Sequence, residues 1–444
     1  MKRLVLSLCC AWIGFAPLTA CNKPQVQSAS PGPADQQIVD AYTYLYGRYL
    51  VLQQENLDIN VEKVGYNKIK YNPLGSAAFV NPNLDVAYLE AWLAVDPTHA
   101  VILNVPKITG RYYTAELLNG WGEVITNINE RNYPKTPYGK FALVMKGTNP
   151  DIPAGAVRVQ VPCTKTKMLA RVELKGTPAI AKKLQEQFTL TVPEDIKIDP
   201  PITVPQFTNA KPIGGEIFDN AEEVVASCED AMPKAAEMQA LAKQVEAYRK
   251  SSEQAKTHVD EVVNTKAIPA FLAGAKGFGT QKGGWSVSYK AGKFGDDMMA
   301  RDIINYGGLW ANEIKEAIYF VGLTDADKGL LSGDNAYEIR FPADALPSSE
   351  VNAFWSMTLY SVPDYRVVDN PMKRYNLSSQ SPLKKNADGS LSIWVGSTRP
   401  KGALASNWLP SPAGKGFALT IRMYVSKDDV LDGKWCPPAI KHVP

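Results

Sequence analysis

The side chains best suited to chemistry lie on alternating stretches. Trp355, Met357 and Leu359 interleave with Ser356, Thr358 and Tyr360. Leu391, Ile393 and Val395 interleave with Ser392 and Trp394, and Phe417 to Val425 sets Thr420, Arg422 and Tyr424 between apolar residues. In a strand, residues two apart share a face. Thr358, Tyr360, Trp394, Arg422 and Tyr424 therefore fall opposite an apolar face. On neighbouring strands, these rings and the guanidinium would line one surface. Such a surface stacks on, or forks around, a sugar, a carboxylate or an aromatic acid. Arg374 and Tyr375 would join it from a loop. The competing reading is that helices cover this face and its aromatics are core.

A second candidate precedes it. Val86 to Val95 alternates, with Tyr88, Glu90 and Trp92 on one side, and Asp85 and Arg111 lie nearby in sequence. Two carboxylates flanking an aromatic suit acid–base work on a glycoside. The competing reading is that these charges are solvated strand residues.

Other chemistries lack their residues. No Gly-x-Ser-x-Gly elbow is present. The glycines from Gly274 to Gly279 are followed by Thr280, so a phosphate cradle lacks its lysine. With three histidines and no Cys-x-x-Cys, no metal site and no cofactor is expected. Asp296-Asp297 and Asp325 to Asp327 read as charges favoured at helix N-termini. The 48 basic and 45 acidic residues leave +3, too balanced for a nucleic-acid partner.

Elements must position these residues. A helix is predicted from about Asp35 to Gln54, N-capped by Asp35, with Ile38, Tyr42, Leu45, Tyr46 and Tyr49 on one face. Short strands follow at Val86–Val95, Val101–Val105, Arg111–Leu117, Phe141–Met145 and Val157–Val161, separated by turn residues. Many short strands with frequent turns predict a β-sandwich or barrel. A helix near Pro178–Phe188 and a proline-rich joint come next. Asn220–Thr265 reads as two helices split at Pro233. Gly274–Gly295 holds seven glycines and reads as a mobile loop or lid. Asp296–Val321 reads as helix, interrupted at Gly307-Gly308, and strands return from Ala336.

The N-terminus is a targeting segment. Lys2 and Arg3 precede an apolar run too short to span a bilayer, and Leu18-Thr19-Ala20-Cys21 resembles a bacterial lipobox. Cleavage there makes Cys21 the lipidated first residue, an acyl (palmitate-type) anchor to the membrane. Asn22 to Asp35, rich in Pro and Ser, is a tether. Asn22, in place of an acidic residue, favours the outer over the inner membrane, with the body facing the periplasm. Cys163, Cys228 and Cys436 then remain, enough for one intrachain disulfide. No later stretch is long and apolar enough to span a membrane.

Several motifs resemble a bacterial family with two linked domains of unknown function, numbered 1254 and 1214. The first resemblance rests on Asn81–Asp96, Val105-Pro106, Gly110–Tyr113 and Met168–Arg171. Val86 stands where that family usually has Thr. The second rests on Gly308–Asn312, Tyr337–Pro342, Phe354–Tyr360, Arg374–Leu377, Asp388–Leu391, Asn407–Pro410 and Arg422–Tyr424. The resemblance implies two jelly-roll-like β-sandwich domains with packed helices, and no established reaction.

The expected architecture is thus mixed, mainly β: leader 1–20, tether 21–34, a sandwich with flanking helices over 35–200, a helical linking domain over 201–325, and a second sandwich over 326–444. The expected function is an envelope-anchored lipoprotein that binds a small polar or aromatic ligand, carbohydrate included. The alternatives are a carboxylate-dependent periplasmic hydrolase and an envelope scaffold.

Overall fold

The computed structural model describes residues 32–75 and 82–443. The leader, Cys21 and nearly all of the tether lie outside the described residues. From Pro33 onward the chain forms one compact unit.

Helix α1 (Asp35–Asn56) opens it. Ala34, not Asp35, sits at the N-cap, with its N–H bonded to the Gln37 side chain at 2.9 Å. Asp35 instead occupies the first turn, where the helix dipole favours a carboxylate, and pairs with Lys266 and His258. The predicted apolar stripe is buried, and so are Tyr44, Val51 and Leu52 around it.

The first sandwich comprises β1 (Lys70–Tyr71), β2 (Val86–Ala94), β3 (Val101–Val105), β4 (Tyr113–Leu118), β5 (Val124–Ile128), β6 (Gly139–Met145), β7 (Val157–Val161), β8 (Lys165–Glu173) and β9 (Thr189–Thr191), with α2 (Pro178–Gln185) before the last. One sheet runs β1-β2-β8-β4-β5 and the other β7-β6-β3-β9. Leu89, Ala91, Leu103, Phe141, Met168 and Ala170 from both sheets meet in one core.

Helices α3 (Ala221–Ala226), α4 (Ala235–Arg249), α5 (Glu253–Val262), α6 (Ile268–Lys276) and α7 (Met298–Gly308) follow, and they share an apolar core with α1. A disulfide joins Cys163, between β7 and β8, to Cys228, just beyond α3. The chain breaks over 227–234, which contains Pro233 as predicted, and a second time over 250–252, where no break is predicted. Ser252 starts α5 by accepting the Ala255 N–H at 3.1 Å.

The second sandwich takes β10 (Thr280–Lys282), β11 (Trp285–Val287), β12 (Ala317–Gly322), β13 (Ala336–Phe341), β14 (Trp355–Ser361), β15 (Asn376–Ser378), β16 (Leu391–Gly396), β17 (Trp408–Pro410), β18 (Phe417–Tyr424) and β19 (Lys441–Val443), with α8 (Asp428–Leu431) before the last. The sheets run β10-β11-β12-β18-β14-β15 and β17-β16-β13-β19. Ile318, Trp355, Met357, Ile393, Val395, Ile421 and Met423 fill the space between them.

Two expectations are corrected here. The glycine-rich stretch is not an unstructured loop: Gly283 and Gly284, at φ +60° and +89°, make the tight turn of the β10–β11 hairpin. Ala317–Val321 is strand, not helix, because it pairs along its length with β18. This sheet therefore begins near residue 280 rather than at 326. The four sheets and their packed helices form the mixed, mainly β architecture expected. No described helix is long and apolar enough to cross a membrane.

Candidate functional site at the buried polar surface between the sandwiches

Each sandwich turns one polar sheet face toward the other. On the first, the face opposite the core carries Tyr88 and Glu90 from β2, Glu116 from β4, and Lys167, Arg171 and Glu173 from β8. On the second, it carries Tyr319 from β12, Ser356, Thr358 and Tyr360 from β14, Asn376 from β15, and Arg422 and Tyr424 from β18.

Arg171 stands at the centre of the first face. It lies opposite Tyr88 on one neighbouring strand and Thr114 on the other. Its guanidinium sits 5.5 Å from the Tyr88 ring centre and donates to Glu116 Oε2 at 2.6 Å. It also donates to Asn312 Oδ1 at 3.1 Å, and the Asn312 amide donates to the Tyr319 hydroxyl at 2.8 Å. One chain of bonds thus runs from the first sandwich to the second. Glu116 is fully buried, and its Oε1 has no hydrogen-bond partner among the described residues. Burial pushes its carboxyl up to about 7, against the pull of Arg171.

Arg422 is the counterpart on the second face. Its guanidinium lies 5.5 Å from the Tyr360 ring centre and 6.0 Å from that of Tyr319. Asp85 reaches across from the first sandwich, and the Asn376 amide donates to both its oxygens at 2.8 and 2.9 Å. Burial raises the Asp85 carboxyl, while the Arg422 charge and Asn376 pull it back. The Asn83 amide donates to the Tyr424 hydroxyl at 2.6 Å, and Tyr360 donates to the Pro82 carbonyl at 2.6 Å. Beside this network, Phe354 stacks on Tyr424 at 4.3 Å and Tyr112 packs edge-on against both. At its other margin, the Gln380 amide donates to Glu173 at 2.8 Å, and Arg131 pairs with buried Glu316.

Nearly every member is buried. Tyr88, Tyr319 and Asn376 are only half-buried. Aromatic faces, fixed guanidinium forks and three carboxyls of raised pKa, Glu116, Asp85 and Glu316, are thereby gathered at one place.

The structure brings together Asp85, Tyr88, Tyr360, Arg422 and Tyr424, which the sequence places on two separate candidate faces. Glu90 and Trp92 share the face with Tyr88 but serve another cluster. Lys167 bonds Glu90 at 2.7 Å and Asp58 at 2.9 Å, and Trp92 donates to Asp58 at 2.7 Å. Burial opposes the Glu90 charge, yet Lys167 prevails and its pKa is lowered.

The remaining four lie apart. Arg111 donates to the Glu173 and Leu174 carbonyls and to Thr177, so it braces a loop. Arg374 donates to the Ala405 and Trp408 carbonyls, and Tyr375 to Asp369. Trp394 corrects the shared-surface expectation. Its neighbours Ile393 and Val395 point into the same core as Ile421 and Met423, from the opposite sheet. Trp394 and Arg422 consequently face outward on opposite sides of the sandwich.

Arg171, Glu116, Asn312 and Tyr319 are not among the sequence candidates. Lys165–Glu173 alternates as plainly as the strands that were recognised: Lys167, Leu169, Arg171 and Glu173 against Thr166, Met168, Ala170 and Val172. That period was the available signal. Asn312 follows a helix on an irregular stretch and has no period; its signal is its place in the Gly308–Asn312 motif.

A family model described as a protein of unknown function (DUF1254) matches residues 64–192, and one described as a protein of unknown function (DUF1214) matches residues 316–428. No curated protein matches. The crystal structure of a Vibrio parahaemolyticus protein is similar over 92% of this chain and 100% of that chain, at 19% identity and a TM-score of 0.64. That likeness shows the fold. The crystal structure of a Burkholderia cenocepacia protein aligns over 92% of this chain and 93% of that one, at 13% identity and a TM-score of 0.45.

Proposed function

This chain belongs to the family in which a DUF1254 domain is followed by a DUF1214 domain, and from that premise we propose that it binds a small polar or aromatic ligand between the two. Carbohydrates and hydroxylated acids are the class whose hydroxyls and carboxylate match phenols, amides and forked guanidinium groups. The observation that carries this reading is the convergence of half-buried Tyr88 and Tyr319 with Tyr360 and the guanidinium groups of Arg171 and Arg422. A thermal-shift screen of sugars and hydroxy acids tests it. Hits should lose their shift in Tyr88→Ala, whose half-buried ring leaves little core behind. Shifts that persist in that variant, or a screen without hits, would overturn it.

Glu116 supports a second reading, hydrolysis through carboxylates. A buried carboxyl pushed up to about 7, with one oxygen unpartnered among the described residues, suits a general acid. Under this reading Glu116→Gln abolishes turnover of a binding ligand while leaving its thermal shift in place.

The proposal includes an envelope location through acylated Cys21. It is supported by the basic start, the apolar run and the Leu18–Cys21 quartet. Metabolic labelling with a palmitate analogue should mark the wild type and not Cys21→Ala.

A further inference from the structure

A cleft of about 750 Å³ opens away from the site just described, between α1, the turn before β8, the proline-rich joint and α3. Its volume falls within the range of small-molecule sites. Arg48 and Glu55 line it from α1, and Trp92 lines it from β2. Trp92 stands on the same sheet face as Tyr88, four residues along β2.

Arg48 is the unusual member. It is 95% buried by its 5% exposure, yet among the described residues no carboxylate oxygen lies within 4.0 Å of it. Its partners are neutral: the Gly120 carbonyl at 2.7 Å and the Ser227 hydroxyl at 2.9 Å. Its Nε has no partner among the described residues. Burial lowers its pKa to about 10, despite the charge of Glu55 nearby. The fork is also fixed in place. A Cβ on Gly120 would lie 3.0 Å from Arg48 Nη1 and 3.0 Å from Cys228 Sγ, so the guanidinium packs closely against this turn.

The carboxylates of the cleft are otherwise engaged. Glu55 accepts the Tyr66 hydroxyl and faces Lys165 at 3.4 Å. Glu223 and Asp199 sit exposed at the rim. A buried cation held only by neutral groups carries an unrepaid desolvation cost, which an incoming anion would offset. Apolar surface from Pro201 and Ile202 lies beside it.

We propose that this cleft is a second binding site, which takes an organic monocarboxylate with its carboxylate on Arg48 and its apolar body against Pro201 and Ile202. Isothermal titration calorimetry with phenylacetate, phenylacetamide and inorganic phosphate tests it. Phenylacetate should bind, and the neutral amide should bind about tenfold more weakly or worse, the loss of one charge-assisted contact. Arg48→Gln should lose the acid-over-amide preference. Because that variant removes a buried residue, Ile202→Trp serves as the second arm. It fills the cleft from a half-buried position, keeps Arg48, and should weaken phenylacetate by about tenfold at an unchanged melting temperature. Equal binding of acid and amide, undiminished binding in Ile202→Trp, or no heat from phenylacetate would each overturn the site. Phosphate binding as tightly as phenylacetate would also overturn it, by marking a simple anion patch.

Discussion

The second sandwich has two outer faces built from the same alternating pattern, and they meet opposite fates. The six-stranded sheet turns Arg422 and Tyr424 outward, at 3% and 1% exposure, because the first sandwich covers them. The four-stranded sheet turns Glu338, Arg340 and Trp394 outward, and Arg340 meets solvent with its partner Asp388. On the covered face an arginine is surrounded by phenols and reached by a buried carboxylate from another domain. On the open face it forms one surface ion pair. Alternation tells which residues leave the core of a sandwich. It does not tell whether water or another domain receives them, and that choice decides whether an arginine can build a site.

The largest difference should appear on removing the arginine. Arg171→Ala strands Glu116 in a fully buried position and should cost about 3–5 kcal/mol in urea denaturation at pH 8. Because Glu116 can take up a proton, the loss should shrink at pH 5. Combining it with Glu116→Leu should recover much of the stability, since no charge is then left alone. A loss as large at pH 5 as at pH 8 would show that packing, not charge, governs the covered face.

That outcome bears on what the sequence could reveal. Strands β2, β14, β16 and β18 were legible because an apolar residue recurs at every second position and each strand has one core face. Four site residues, Tyr88, Tyr360, Arg422 and Tyr424, follow from the same rule, and Asp85 from its place beside β2. Two things were hidden. Ala317–Gly322 is too short and too apolar for its period to separate strand from helix, and only its pairing with β18 settles the matter. The meeting of Asp85 with Asn376 spans most of the chain, and no local pattern encodes which of four sheet faces will pair. Trp394 shows the same limit: its period marks an outward face, and only the pairing of β16 with β13 and β17 places that face on the other sheet.

Protonation should separate the faces next, and with opposite signs. Glu116 has its pKa raised to about 7 in the folded state, above the ordinary value of about 4.3. The folded protein therefore binds this proton more tightly than the unfolded chain. The resulting stability is fully present below the unfolded value and is lost as pH rises through about 7. The span amounts to about 3 kcal/mol as an order of magnitude. Asp85 and Glu316, also raised by burial, act in the same direction. Asp388 on the open face is lowered to about 2, first by hydrogen bonding from Ser390, so its contribution is present above the unfolded value and lost in acid. Denaturation from pH 5 to 8 should show a decline that Glu116→Gln flattens and Asp388→Asn does not touch.

A smaller effect is expected from Tyr424→Phe. The ring stays between Phe354 and Tyr112, but the Asn83 amide loses its acceptor inside the interface. A buried donor without a partner costs about 1–3 kcal/mol. Asn83→Ala should cost less once Tyr424 is already Phe, because the unsatisfied donor is then gone as well. Additive losses in that cycle would mean that the two groups act separately.

Arg340→Ala should have the smallest effect, and its smallness is informative. Arg340 and Asp388 keep about half their side-chain surface, at 51% and 57%, so water screens the pair and either partner is hydrated once the other is gone. Asp388 also retains its bonds to the Ser390 hydroxyl and N–H, which hold the Asp388-Gly389 turn whether or not the arginine is present. Urea midpoints of Arg340→Ala and wild type should therefore coincide across pH 5 to 8. A midpoint that falls would mean that the four-stranded face is covered in solution by something outside this chain, and the contrast between the two faces would then be one of partner rather than of exposure.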